Sequence, residues 1–411
     1  MAHVMRLAEV GATADGGVTR LAFTPELRAA ETLVRGWMEE AGLTTRLDAA
    51  ANIIGRREGL ATGWPCVMLG SHIDTVVNGG RYDGALGVLA GIEVAHALRE
   101  DGVDLLPALE VVSFTDEDGA RFKGGFFGSW NMTGTLDPEF LDRGDDNGVT
   151  VPDALRAYGL DPARLPGAAR QPGEIGAYLE LHIEQGAVLE GRGMALGAVT
   201  SIAGTLGLRV QITGRADHAG ATPMGEARRD ALAGAAQMIL AAERIARACS
   251  PTAVATVGHI AASPNVSNVI AGEVTIHFDV RDIQIETRDL VETSLRHEIE
   301  RIASLRGLAF SISDRLRAVP VPIAPDMVEL VSTACEMAGA PAVRLPSGAG
   351  HDAQILGRIT DPAMLFVRCR GGVSHSPAEY VEPADIGLAA QALYNATRLA
   401  AERVARTGGA A

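Results

Sequence analysis

The hydrophobic period of this sequence changes near residue 201, and that change limits what the chain can fold into. Before it, "PCVMLGSH" (65–72) and "ALEVVSFTDED" (108–118) are short unbroken apolar runs rich in β-branched residues. Such runs suit strands covered on both faces by helices. "GALGVLAGIEVAHALRE" (84–100) between them reads as a helix, so the three segments describe a βαβ unit with its ligands beyond the strands' carboxyl ends. A helix is also expected over "FTPELRAAETLVRGWMEEAG". Thr24 caps it, Pro25 takes its first turn, Leu33, Val34, Trp37 and Met38 form an apolar face, and Gly42 stops it.

From residue 201 apolar and polar residues alternate. "LGLRVQITG" puts Leu206, Leu208, Val210 and Ile212 on one face, and "GEVTIHFDVRD" does the same with Val274, Ile276, Phe278 and Val280. Alternation predicts half-exposed, antiparallel strands. Around them come a helix over "EARRDALAGAAQMILAAERIAR" (226–247), a strand "TAVATVGHI", a helix near 286–305 and a strand "LAFSIS". This order, βαββαβ, is the ferredoxin-like plan. After Arg317 the buried-strand text returns as "AMLFVRC". The expected fold is therefore α/β: a mixed, largely parallel sheet flanked by helices, in two parts (1–200 and 317–411), with an α+β domain (201–316) inserted.

The 411 residues carry a formal charge of -15 and no basic stripe interleaved with aromatics, which argues against a nucleic-acid partner. Cys66, Cys249, Cys335 and Cys369 form no CxxC pair, so a reducing, cytoplasmic setting is expected. The first residues lack the apolar core of a signal peptide and no stretch approaches ~18 apolar residues, so no membrane partner is expected.

Four stations carry metal-ligand chemistry: "SHID" with "YDG", "FTDEDGARF", "LELHIEQG" and "GGVSHSPAEY". A lone histidine in any of them is more often a hydrogen-bonded structural residue. Together, His72, Asp83, Asp118, His182 and His375 form a set suited to two divalent metals, each at or near a strand end. Asp83 can bridge the ions, leaving His72 and His182 for one and Asp118 and His375 for the other. Two ions ~3.5 to 4 Å apart would share a water and lower its pKa toward ~7. Asp74 suits orienting the His72 ring, or else plain turn capping. Glu117 is the natural general base, although Asp116, Glu117 and Asp118 would elsewhere read as a solvated acidic run. His218, in "GRADHAGATPM", could donate to a developing oxyanion. Arg281 reads as a salt bridge with Asp279 or Asp282, or as a carboxylate clamp. His96, His259, His277 and His297 have no accompanying ligand residues and are assigned to structure.

These stretches, in this order, resemble the aminoacylase and carboxypeptidase family of dinuclear metallohydrolases, over nearly the whole chain from "GGVTRLAFTPE" through "SGAGHDAQ" to "GGVSHSPAEY". Within it they resemble the carbamoylase branch: N-carbamoyl-L-amino-acid hydrolases, allantoate amidohydrolases and β-ureidopropionases. The histidine of "LHIEQG" is the most telling feature, because the peptidase branch has a carboxylate there. The resemblance implies a zinc-exopeptidase-like catalytic domain, a smaller dimerisation domain, and two ions (zinc, manganese, cobalt or nickel) on His72, Asp83, Asp118, His182 and His375. It also implies Glu117 as base, Gln185, His218, Asn268, Arg281 and Gly350 around a ureido or carbamoyl carboxylate, and a homodimer in which His218 reaches the partner subunit's site. One departure from the family matters: where it usually has two adjacent glutamates this chain has Glu117 and Asp118, a ligand one methylene shorter. Rivals are an aminoacylase or dipeptidase, which His182 opposes, and a non-catalytic metal-binding module, which Glu117 opposes.

Overall fold

A computed structural model describes residues 1–408. The chain divides into two units, one of Met1–Thr200, Ile323–Ser347 and the residues from His351 onward, the other of Ser201–Pro322 with Gly348–Gly350. In chain order the first six strands are β1 (Thr44–Leu47), β2 (Ile53–Arg57), β3 (Cys66–His72), β4 (Leu109–Phe114), β5 (Ile175–Ile183) and β6 (Leu196–Ile202). β7 (Gly204–Thr213), β8 (Val254–Ser263), β9 (Glu273–Asp282), β10 (Ala309–Arg317) and β11 (Val321–Pro322) follow, then β12 (Val343–Ser347) and β13 (Pro362–Val367).

The sheet of the first unit runs β1-β2-β4-β3-β5-β13-β6, and β12 also pairs with β6. It is the expected mixed, largely parallel sheet flanked by helices, with its four central strands β4, β3, β5 and β13 running parallel. β2 joins β4, and β6 joins β13, in the antiparallel sense. Every residue of β3, β4 and β13 is buried, which explains their largely apolar text, and the exception in mid-strand, Glu110 of β4, is ion-paired with Arg56 and Arg170. Helix Ala85–Glu100 packs on β3, β4 and β5, and helix Pro383–Gly408 on β3, β5 and β13. Gly87 permits the first of these contacts, since a Cβ there would lie 2.2 Å from the Leu181 carbonyl oxygen.

The second unit is an antiparallel sheet in the order β10-β7-β9-β8 with helices Ala231–Cys249 and Ile285–Arg306. This is the ferredoxin-like arrangement. Leu206, Leu208, Val210 and Ile212 of β7 and Val274, Ile276, Phe278 and Val280 of β9 share one core with Met238, Leu295 and Ile299. The first helix starts five residues later than the sequence pattern suggests. Asp230 caps it by accepting the Ala233 N–H, and Ala227, the one apolar residue from Glu226 to Arg229, is exposed. β8 lies at the sheet's edge and is exposed along most of its length.

Candidate metal centre

The four parallel strands end side by side, and each delivers polar residues to the same end of the sheet. β3 ends in His72, β4 leads into Asp116–Glu117–Asp118, β5 carries His182 and leads into Gln185, and β13 leads into the loop bearing His375. Asp83 comes from the loop between β3 and helix Ala85–Glu100. Gly84 follows it with φ +60°, and a Cβ there would sit 2.4 Å from the His72 ring. Only glycine lets that helix begin against the imidazole.

Asp83 is the centre of the cluster. Its Oδ1 lies 3.1 Å from His182 Nε2 and 3.9 Å from His72 Nε2, and its Oδ2 lies 3.1 Å from His375 Nε2. His375 Nε2 is also 3.4 Å from Asp118 Oδ1. Two trios sharing Asp83, His72/Asp83/His182 and Asp83/Asp118/His375, each have ligand atoms within 4.8 Å of one another. The first trio is buried, whereas half of the His375 side chain, at 50%, is exposed.

The imidazole tautomers follow from what their other nitrogens touch. His72 Nδ1 is 3.1 Å from the Asp74 carbonyl oxygen and His182 Nδ1 is 2.9 Å from that of Ile183. A carbonyl only accepts, so both Nδ1 atoms carry hydrogen and both Nε2 atoms turn toward Asp83. The Asp74 contact differs from the expected one, since the carboxylate Oδ1 is 3.9 Å from the ring and the backbone does the orienting. Asp74 Oδ2 instead accepts the Asp118 N–H at 3.3 Å, tying the β3 and β4 loops together.

Electrostatics fit a cation here. Hydrogen bonds from His182 and His375 outweigh burial and hold the Asp83 carboxyl well below its ordinary range. Burial, reinforced by neighbouring carboxylates, pushes Asp116, Glu117 and Asp118 well above theirs. The carboxylate bond carries His182 to about 9 against its burial, and Asp83 raises His375 to about 9. Imidazole nitrogens with fixed lone pairs facing carboxylate oxygens need a positive charge between them, a proton or a divalent ion. Asp74 Oδ1 and Asp116 Oδ2 are buried without a hydrogen-bond partner among the described residues. Nitrogen and oxygen donors of this kind suit zinc, manganese, cobalt or nickel.

Glu117 Oε2 lies 3.5 Å from His72 Nε2, and Gln185 Nε2 donates to Asp83 Oδ2 at 2.9 Å. Asp116, Gln185 and His375 all have positive φ (57°, 55° and 53°), a concentration of backbone strain characteristic of functional loops. His218, Asn268, Arg281 and Gly350 belong to the second unit. There His218 Nδ1 accepts the Gly220 and Ala221 N–H groups, so Nε2 carries the hydrogen, and the Ala219 N–H donates to the Asn268 carbonyl. Arg281 makes a forked pair with Asp279 (2.7 and 3.0 Å) and donates to the Gly348 carbonyl at 2.9 Å.

Sequence reasoning missed several buried groups. Glu379 accepts the N–H groups of Tyr82 (2.8 Å) and Asp83 (3.1 Å) and the Ser374 hydroxyl (3.0 Å). Glu180 accepts the Ser71 and Tyr178 hydroxyls and the Ala353 N–H. His351 stacks edge-on against His182 with ring centres 4.5 Å apart. Both Glu379 and Glu180 stand inside motifs already singled out, so the motifs were the available signal.

A catalytic sheet of this topology with a histidine and carboxylate cluster at its parallel strand ends, and a ferredoxin-like insert, defines a metallohydrolase of the exopeptidase type. Residues 68–398 match the model of the peptidase family M20/M25/M40, and the chain belongs to that family. Within it the chain falls in the carbamoylase and allantoate amidohydrolase branch. It is 46% identical to an N-carbamoyl-L-amino acid amidohydrolase of Geobacillus stearothermophilus over 96% of both chains. It is 38% identical to an allantoate amidohydrolase of Bacillus subtilis, covering 95% of this chain and 94% of the relative. A crystal structure of an amidase of the hydantoinase/carbamoylase family from Burkholderia multivorans superposes with a TM-score of 0.89 at 36% identity, covering 97% of this chain and 96% of that one.

Proposed function

We propose that this chain hydrolyses the carbamoyl C–N bond of an N-carbamoyl-L-amino acid, releasing the amino acid, carbon dioxide and ammonia. The observation that carries the reading is the pair of ligand trios sharing Asp83, taken with near-complete coverage of a relative named for that activity. Two divalent ions on His72, Asp83, Asp118, His182 and His375 would supply Lewis acidity, polarising the ureido carbonyl and acidifying water. Glu117, raised in pKa and beside the trios, takes the proton of the attacking water and delivers it to the leaving nitrogen. His218, with hydrogen on Nε2, donates to the developing oxyanion, and Arg281 anchors the substrate carboxylate. Gln185, Asn268 and Gly350 complete the substrate contacts.

The working form is a homodimer. Support comes from the exposed edge strand β8, in which Val254 and Ile260 are each 50% exposed and which offers unpaired backbone groups to a second copy. The four cysteines are free, which supports a reducing, cytoplasmic setting. No helix among the described residues is long and apolar enough to cross a membrane. The test is ammonia release by purified protein, with manganese, cobalt, nickel or zinc, from N-carbamoyl amino acids, allantoate and N-acetyl amino acids, before and after chelation. Carbamoyl turnover lost with the chelator and restored by metal is expected. Preference for allantoate would move the chain to the other half of its branch. Chelator-insensitive turnover would end the metal reading, and two bound metals without turnover of any substrate would favour a binding module.

A further inference from the structure

The motif "GGVTRLAFTPE" has no part in the chemistry above, yet residues 18–23 are wired to both loops that carry it. Val18 and Gly79 exchange backbone hydrogen bonds (3.0 and 2.8 Å), and the Asn78 N–H donates to the Thr19 hydroxyl at 2.8 Å. The Thr75 N–H donates to the Arg20 carbonyl at 3.0 Å, and the Thr75 hydroxyl accepts the Arg20 N–H at 2.9 Å. The Arg20 side chain, 1% exposed, donates through Nε to the Ile73 carbonyl (2.9 Å) and through Nη1 to those of Leu7 and Val10 (both 3.0 Å). Ile73 and Thr75 flank Asp74, so Arg20 holds the backbone on both sides of that carboxylate. At the other end of the segment, Arg121 donates to the carbonyls of Ala22 (2.7 Å) and Phe23 (3.2 Å). Arg121 lies three residues past Asp118 in the β4 loop.

We infer that residues 18–23 are a positioning strap, with Arg20 its principal residue, that fixes the β3 and β4 loops relative to each other and thereby sets the spacing of His72 from Asp118. The inference rests on the metal reading above. The two loops leave different strands and touch directly through the Asp118 N–H on Asp74 Oδ2. A single 3.3 Å hydrogen bond between two loops cannot by itself hold ligands to the few tenths of an ångström that coordination requires. Arg20 serves three carbonyls from two directions with one planar fork. A lysine keeps the charge but cannot reproduce that geometry.

The test titrates cobalt(II) into purified wild type, Arg20→Lys, Thr75→Val and Thr75→Ser, and follows the visible absorption of the bound ion, with thermal unfolding and kcat and KM measured alongside. Thr75→Val removes the hydroxyl that accepts from Arg20 while keeping the side-chain shape, and covers the case in which the arginine variant fails to fold. Arg20→Lys and Thr75→Val are expected to bind cobalt about 10- to 100-fold more weakly, the usual effect of losing a group that orients ligands, with an altered spectrum and a lower kcat at little-changed KM. Thr75→Ser is expected to restore all three. Folded variants with lower melting temperature but wild-type affinity and spectrum would overturn the strap and reduce it to a stability element. Failure of the wild type to bind cobalt would instead overturn the metal reading on which the strap depends.

Discussion

Glu379 holds Asp83 by its backbone: one oxygen of the buried Glu379 carboxylate accepts the Asp83 N–H at 3.1 Å together with that of Tyr82. The approach is possible because residue 80 is glycine, whose Cβ would fall 2.1 Å from the carboxylate. Its other oxygen accepts the Ser374 hydroxyl, which also reaches Asp83 Oδ2 at 3.0 Å. The carboxylate shared by both ligand trios is therefore aimed by a second carboxylate nearly three hundred residues away. Glu379→Ala should weaken metal binding about 10- to 100-fold. Glu379→Gln keeps one acceptor oxygen for both N–H groups and should lose much less. Calorimetric titration with manganese separates the two, and equal loss in both variants would mean that charge, not aim, is what Glu379 supplies.

Glu117→Gln should reduce kcat by about 10² to 10⁴-fold, the range general acid–base groups contribute, while metal content stays at the wild-type level. Metal analysis of the purified variant alongside ammonia release checks this. Loss of metal in proportion to activity would make Glu117 a ligand rather than the base.

Gly84→Ala should be among the most damaging single-methyl changes in the chain. The added Cβ meets the His72 ring at 2.4 Å, and φ +60° with ψ -52° is a conformation that alanine avoids. About 1 to 3 kcal/mol of stability should be lost from the backbone alone, read by denaturant unfolding, together with metal affinity.

Much of this was legible in the sequence, for a physical reason. Buried parallel strands and half-exposed antiparallel strands have different hydrophobic periods, and histidines and carboxylates that recur at the ends of several buried runs point together to a ligand where each alone would not. What was not legible are groups whose meaning lies in distant partners. Glu180 sits within "LELHIEQG" as an ordinary alternating polar residue, yet its acceptors' partners, Ser71 and the Ala353 N–H, are 109 and 173 residues away. Glu379 and His351 were in view within quoted motifs, but nothing local distinguishes a carboxylate that caps a loop from one that faces water. Arg281 shows the converse: its forked pair with Asp279 is the contact expected from the strand alone.

Glu31 provides a pH dependence remote from the metal centre. It lies in helix Pro25–Glu40, 4% exposed, and burial pushes its carboxyl up to about 7 despite the opposing pull of Tyr158, Arg28 and Arg35. Because the folded form binds this proton more tightly than the unfolded chain, its contribution is fully present below about pH 4.5 and is lost as pH rises through about 7. Glu31→Gln removes the titration. Relative to wild type, the variant should gain stability between pH 5 and 8, by about 3 kcal/mol at most, in urea unfolding at the two pH values. Parallel curves for the two proteins would show that Glu31 does not carry the dependence.

The dimer reading makes a quantitative prediction that no single-chain enzyme would share. If His218 serves the partner subunit's site while Glu117 serves its own, neither Glu117→Gln nor His218→Ala homodimers contain a complete site. A mixed dimer contains one, assembled from Glu117 of the His218→Ala subunit and His218 of the Glu117→Gln subunit. Unfolding and refolding the two variants together at equal amounts yields mixed dimers as half of the population, each with one working site of two, so activity should recover to about a quarter of wild type. Recovery should fail when Ile260→Lys, which places a charge on the exposed edge strand β8, is added to both chains and light scattering reports monomers. Absence of recovery from confirmed mixed dimers would place His218 and Glu117 in the same subunit's site, leaving the dimer without a catalytic role.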